Sequence, residues 1–121
     1  MDITTQTTIS FIINKLNERV RSTRISQVQK EQDIFTIFKV FDPQYGTTFQ
    51  KIYENKFSPE EKTKFFAEVE KNGVHVHIST DDRICIANMI SECYDNLPWL
   101  RGELKLYYDT RSMTLLYIPT N

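Results

Sequence analysis

The side chains best equipped for chemistry sit in one short stretch. Residues 73–83 read GVHVHISTDDR and hold both histidines of the chain, His75 and His77, with Asp81, Asp82 and Arg83 close behind. In an extended chain alternate residues share a face, so His75, His77 and Ser79 would point one way and Val74, Val76 and Ile78 the other. Two imidazoles on one face could grip a metal ion, with oxygens lent by Asp81 or Asp82. They could also act as acid and base in a small hydrolase or nuclease, with Arg83 as the phosphate-holding cation. A catalytic zinc usually takes three protein ligands, and the sequence offers neither a third histidine nor a neighbouring cysteine. No metal and no cofactor are therefore expected. A strand with an apolar core side and a wet imidazole side explains the pattern without chemistry, and catalysis by His75, His77 and Arg83 is the lesser reading.

A second constellation is basic. Lys15, Arg19, Arg21, Arg24 and Lys30 face a single acid between them, Glu18. Such a run could hold a phosphate backbone and make the chain a nucleic-acid-binding regulator. At 100° per residue, however, Lys15 and Arg19 fall on one flank of a helix and Arg21 and Arg24 on the other, so they form no single stripe. A net charge of −1 also argues against a basic field over the whole surface. A third group is aromatic. Phe11 lies roughly opposite the core stripe of its helix. Trp99 and Arg101 sit in the loop NLPWLRG, and Tyr107 belongs to a tyrosine-rich C-terminal segment. Tryptophan, tyrosine and arginine are enriched where proteins grip one another, so Phe11, Trp99, Arg101 and Tyr107 are the candidate contacts for a protein partner or a second copy. Phe11 could equally pack under the start of the chain, Trp99 would more commonly plug the end of the core, and the tyrosines raise the same question.

Several designs are missing. The three glycines, Gly46, Gly73 and Gly102, make no phosphate loop, and there is no nucleophile elbow, metalloprotease helix or Cys–His ribbon. Cys85 and Cys93, eight apart on one expected helix, are separated by about 12 Å along its axis, too far for a disulfide. Cys85 lies near that helix's N-terminus, but no histidine is placed to activate it. Two unpaired thiols point to a reducing, cytoplasmic setting. The first twenty residues lack a basic start and a continuous apolar run, so they do not read as a signal peptide, and no stretch is long enough for a membrane span.

These groups must be positioned by ordinary secondary structure. The 121 residues, 40% hydrophobic and 26% charged, fit a single small domain, 1–121, with residues 1–7 expected to fray. Ile9, Ile12, Ile13, Leu16 and Val20 mark a helix that fades between Arg24 and Gln29. Residues 33–42, DIFTIFKVFD, read as a strand buried on both faces, followed by a DPQYG turn and a second strand over 47–57, although a helix capped by Thr47 also fits there. Ser58, Pro59 and Glu61 start a helix that Asn72-Gly73 ends. A strand over 74–79 leads to a helix capped by Thr80 or Asp81, with Ile86, Met89, Ile90, Cys93 and Leu97 inward and Pro98 as its stop. Glu103–Asp109 and Met113–Ile118 form a hairpin around a turn at 109–112. The expected order is α-β-β-α-β-α-β-β, an α+β fold with a largely antiparallel sheet under packed helices. The expected role is that of a small intracellular, non-enzymatic protein-interaction module that binds a partner or itself, with nucleic-acid binding second and His75/His77 hydrolysis third.

Overall fold

Residues 33–42 do not form a strand. In the computed structural model, which describes residues 3–101, 104–109 and 114–119 with side chains from 5 to 100, residues 33–41 belong to a helix and Asp42 ends it. Six helices stand among the described residues: α1 (Ile3–Arg21), α2 (Gln27–Phe41), α3 (Pro43–Lys56), α4 (Pro59–Asn72), α5 (Arg83–Asn96) and the single-turn α6 (Pro98–Arg101). The strands β1 (Leu104–Asp109) and β2 (Thr114–Pro119) follow as an antiparallel pair, Leu104 opposite Pro119 and Asp109 opposite Thr114. The protein is helical. The expected α+β architecture, a sheet carrying helices, is overturned, since this two-stranded ladder is the only sheet among the described residues. Of the expected turn at 109–112, Asp109 belongs to β1 and the rest lies outside the described residues.

The reason for the first error is physical. Asp33, Ile34, Phe35, Ile37, Phe38, Val40 and Phe41 are all buried in α2. Over 33–41 only Lys39 is exposed and Thr36 half-buried, so this half of α2 reads as a nearly continuous apolar run that periodicity cannot separate from a buried strand. The wet stripe of Gln29, Gln32, Thr36 and Lys39 shows only when the polar first half of the helix is read with it. Its start lies in the polar stretch expected to be loop: the Ser26 hydroxyl accepts the Gln29 N–H at 3.2 Å and caps the helix.

The second error, the strand over 47–57, has a related cause. Asp42 ends α2, its N–H donating to the Phe38 carbonyl at 2.8 Å, and its carboxylate accepts the Tyr45 N–H at 3.3 Å to begin α3. Pro43 occupies the first helical position. Asp-Pro is thus a cap and a helix start, where it had suggested a hairpin turn. Gly46 is not a turn residue either. A Cβ there would lie 2.5 Å from the Lys39 nitrogen and 2.6 Å from the Phe38 carbonyl carbon, so glycine lets the first turn of α3 rest on the backbone of α2.

Other expectations hold locally. Ser58 and Glu61 make the reciprocal capping box of α4, with bonds of 3.2 Å each, and Gly73 ends the helix at φ +83°. α5 is capped by Asp82, one or two residues later than expected, through the Cys85 N–H at 2.9 Å. Residues 74–79 lie in no helix, but they pair with no strand among the described residues, so they are not part of a sheet. Instead the Val74 N–H donates to Asn17 Oδ1 of α1 at 2.7 Å, and Ser79 donates through its N–H and its hydroxyl to the Phe41 carbonyl at 3.3 and 3.2 Å.

The core joins Ile12, Leu16 and Val20 of α1 to the enclosed face of α2 and to Ile86, Ile90, Cys93, Leu97 and Leu100. Beside it runs an aromatic cluster of Phe35, Phe38, Tyr45, Phe49, Tyr53, Phe57, Phe65 and Phe66. Its ring centroids are 5.2 to 6.4 Å apart, the spacing at which edge and offset contacts add to burial. Strand β2 packs along α1 and α5.

Candidate binding groove

The aromatic cluster reaches the surface most fully at Tyr45. Tyr45 lies in the first turn of α3, oriented by the Asp42 cap, and remains 53% exposed. Its ring stacks on Phe49 at 6.0 Å with 20° between planes and meets Phe38 edge-on at 5.6 Å. Phe38 reaches this spot from α2, and His75, Val76 and His77 run past on the extended segment. Together with Asp42 they line a cavity of about 150 Å³. A second cavity, about 300 Å³, shares Phe38, Tyr45 and His75 and continues onto α4, where Phe65, Glu68, Val69 and Asn72 line it with Gly73 and Val74. The two form one groove with an apolar floor and two carboxylates, Asp42 and Glu68, among its lining residues.

The alternation along 74–79 is as its sequence suggests. Val74 is buried and Val76 and Ile78 are half-buried, while His75 and His77 are exposed. The two histidines share the smaller cavity with Asp42, but Arg83, the expected cation, heads α5 and does not line it. Among the described residues no group of three or more His, Cys, Asp or Glu could hold a metal ion. The arrangement offers apolar surface and hydrogen-bonding edges.

The other sequence candidates are dispersed. Phe11 is half-buried against the core with the Lys15 ammonium 5.6 Å from its ring centre. Trp99 is also half-buried, with the Arg19 guanidinium 5.2 Å over its ring, beside a cavity of about 230 Å³ lined by Lys15, Glu18, Arg19 and Trp99. Arg101 ends α6 and Tyr107 pairs with Leu116 in the ladder, but their side chains lie outside the described ones. In the basic set, Lys15 bonds Glu18 at 3.4 Å, Arg19 bonds the buried Asp33 at 2.7 Å, and Arg21 bonds the Glu70 carbonyl at 2.9 Å. Arg24 is exposed and Lys30 half-buried on the other side of the α1–α2 turn. Three of the five cations are thus engaged with three different partners, Glu18, Asp33 and the Glu70 carbonyl.

Ionisation follows the surroundings. The Cys85 backbone N–H holds the Asp82 carboxyl below its ordinary range. Burial, helped by the nearby Glu92 charge, pushes the Cys93 thiol up to about 12. Burial first, and then the Glu31 carboxylate, push the Tyr53 phenol upward too.

Sequence reasoning missed Phe38 and Tyr45 as surface-forming partners. The signal was present in Asp42-Pro43: read as a helix start, it brings Phe38, Tyr45 and Phe49 together across the α2–α3 joint. No family model, curated protein or solved structure matches the chain. No helix among the described residues is long and apolar enough to cross a membrane.

Proposed function

We propose that the chain is a small non-enzymatic module that binds a protein partner in the groove between α2–α3, α4 and residues 73–77. The observation that carries this reading is Tyr45, a large ring stacked on Phe49, with its backbone N–H on the Asp42 cap, yet more than half exposed at the mouth of an apolar groove. Rigid, partly solvated aromatics beside pockets are the usual anchors of protein interfaces. Phe11 and Trp99 each already carry a cation over the ring, which leaves them less free apolar face, so the groove takes precedence over the Phe11, Trp99, Arg101, Tyr107 set. The two cysteines, neither in a disulfide, support placing the module in the cytoplasm.

Capture from native lysate, with and without nuclease, tests this. The tagged chain should retain a protein partner after nuclease treatment, and Tyr45→Ala should lose it while keeping an unchanged urea midpoint. Capture that vanishes with nuclease, or that is indifferent to Tyr45→Ala, would remove the groove from the account.

A further inference from the structure

The groove has one wall unlike the others. Residues 74–79 run from the end of α4 to the cap of α5, tied at one end to Asn17 and at the other to the Phe41 carbonyl. Between these ties the backbone N–H and C=O groups of His75, Val76, His77 and Ile78 make no hydrogen bond to any described residue. A stretch of this kind, held at both ends with its ladder groups open, is a template for one more strand. In a strand, a residue's N–H and C=O point to one edge and its neighbours' to the other. The alternating burial of residues 74–78 is that of an extended chain, and on that alternation the groups of His75 and His77 fall on the edge of the Ser79 N–H, which faces Phe41 at the end of α2. That is the side on which Phe38, Asp42 and Tyr45 line the groove.

We infer that residues 74–79 are a docking edge onto which an extended segment of a partner protein, with basic and apolar side chains in alternation, adds as a strand. This rests on the groove reading above and specifies its occupant. Apolar side chains on one face of the added strand meet Phe38, Tyr45, Phe65 and Val69. The charged residues lining the groove are Asp42 and Glu68, with no lysine or arginine among them, so the complementary side chains are cationic. A second copy is a poorer occupant. Its equivalent segment, VHVHIS, carries no lysine or arginine, and it would bring another Asp42 and Glu68 towards the first pair.

The test uses the full chain and three pools of fluorescent octapeptides read by anisotropy. One pool alternates Val, Ile or Leu with Lys, one alternates the same residues with Glu, and the third is the lysine pool with alternate backbone nitrogens methylated. The lysine pool should bind at least tenfold more tightly than the glutamate pool, and methylation should weaken it at least tenfold. Asp42→Asn, which keeps a capping oxygen, combined with Glu68→Gln should narrow the lysine preference. Equal binding of the first two pools, indifference to methylation, or no binding of the lysine pool at 1 mM peptide would each overturn the inference. So would a chain dimer in sedimentation whose dissociation tracks peptide binding, since the edge would then belong to a second copy. If Tyr45→Ala loses the lysate partner while methylation changes nothing, the groove reading stands and strand addition falls.

Discussion

Arg19 ties three helices together. Its Nε donates to Asp33 at 2.7 Å, joining α1 to α2, and its guanidinium covers Trp99 of α6 at 5.2 Å. The other Asp33 oxygen accepts from Gln29 at 3.0 Å, so a carboxylate with only 4% of its side chain exposed has a partner on each oxygen. Removing one member of a buried pair strands the other. Arg19→Ala should therefore cost about 3 kcal/mol, read from urea unfolding, and Arg19→Lys should recover only part of it, because an ammonium lacks the planar fork that bonds and stacks at once. The cysteines offer an independent check. Cys85 is exposed and Cys93 buried, so a maleimide should modify one thiol quickly and the second only as the protein opens. The sign for Cys93 follows from its upward shift. Its neutral form is favoured in the fold, a contribution complete below the unfolded thiol value of about 8.5 and lost as pH rises from there towards about 12. The urea midpoint should fall over that interval, and less steeply in Cys93→Ala measured against its own neutral-pH value.

Among the elements, those with unambiguous end signals are legible in the sequence and those whose starts read as loop or turn are not. Ser58, Pro59, Glu61 and Gly73 fix α4 locally, and the inward row Ile86, Ile90, Cys93 and Leu97 fixes α5 because its opposite face meets water. The wet face of α2, Gln29, Gln32, Thr36 and Lys39, is split between a polar stretch that reads as loop and an apolar one that reads as strand, and Asp42-Pro43-Gln44-Tyr45-Gly46 has the composition of a turn as well as of a helix start. The alternation of 74–79 is readable, but whether a strand stands beside it depends on α2 and α3, which read as strands in the sequence. The groove was hidden for the same reason, since it exists only when Phe38 and Tyr45 lie on two adjoining helices. Two substitutions probe these elements. Gly46→Ala places a methyl within 2.5 Å of main-chain atoms that cannot turn aside, and overpacking of this kind costs about 1–3 kcal/mol. Its urea midpoint should fall accordingly. Asn17→Ala removes the acceptor of the Val74 N–H, a residue only 4% exposed. An unmet buried donor costs about 1–3 kcal/mol, and hydrogen exchange should accelerate over 74–79 before it does in α2.

For the molecule as a whole, the helical architecture has two observable signatures. Its far-ultraviolet circular dichroism should be dominated by helix, where the α+β reading called for a substantial strand component. Its contacts are built largely from neighbouring helices, α2 on α3 above all, and chains rich in local contacts fold in microseconds to milliseconds. Stopped-flow refolding slower than seconds would contradict that assembly. The joint at Asp42 carries a further consequence. One residue closes α2 and opens α3, so the two helices are phased to each other with no slack between them. A single residue inserted between Phe41 and Asp42 that continued α2 would turn everything beyond it by about 100°. Phe49 and Tyr53 would swing away from Phe35, and Gly46 would no longer sit where α2 comes closest. In this stretch length is as constrained as composition: the joint admits substitution far more readily than insertion or deletion.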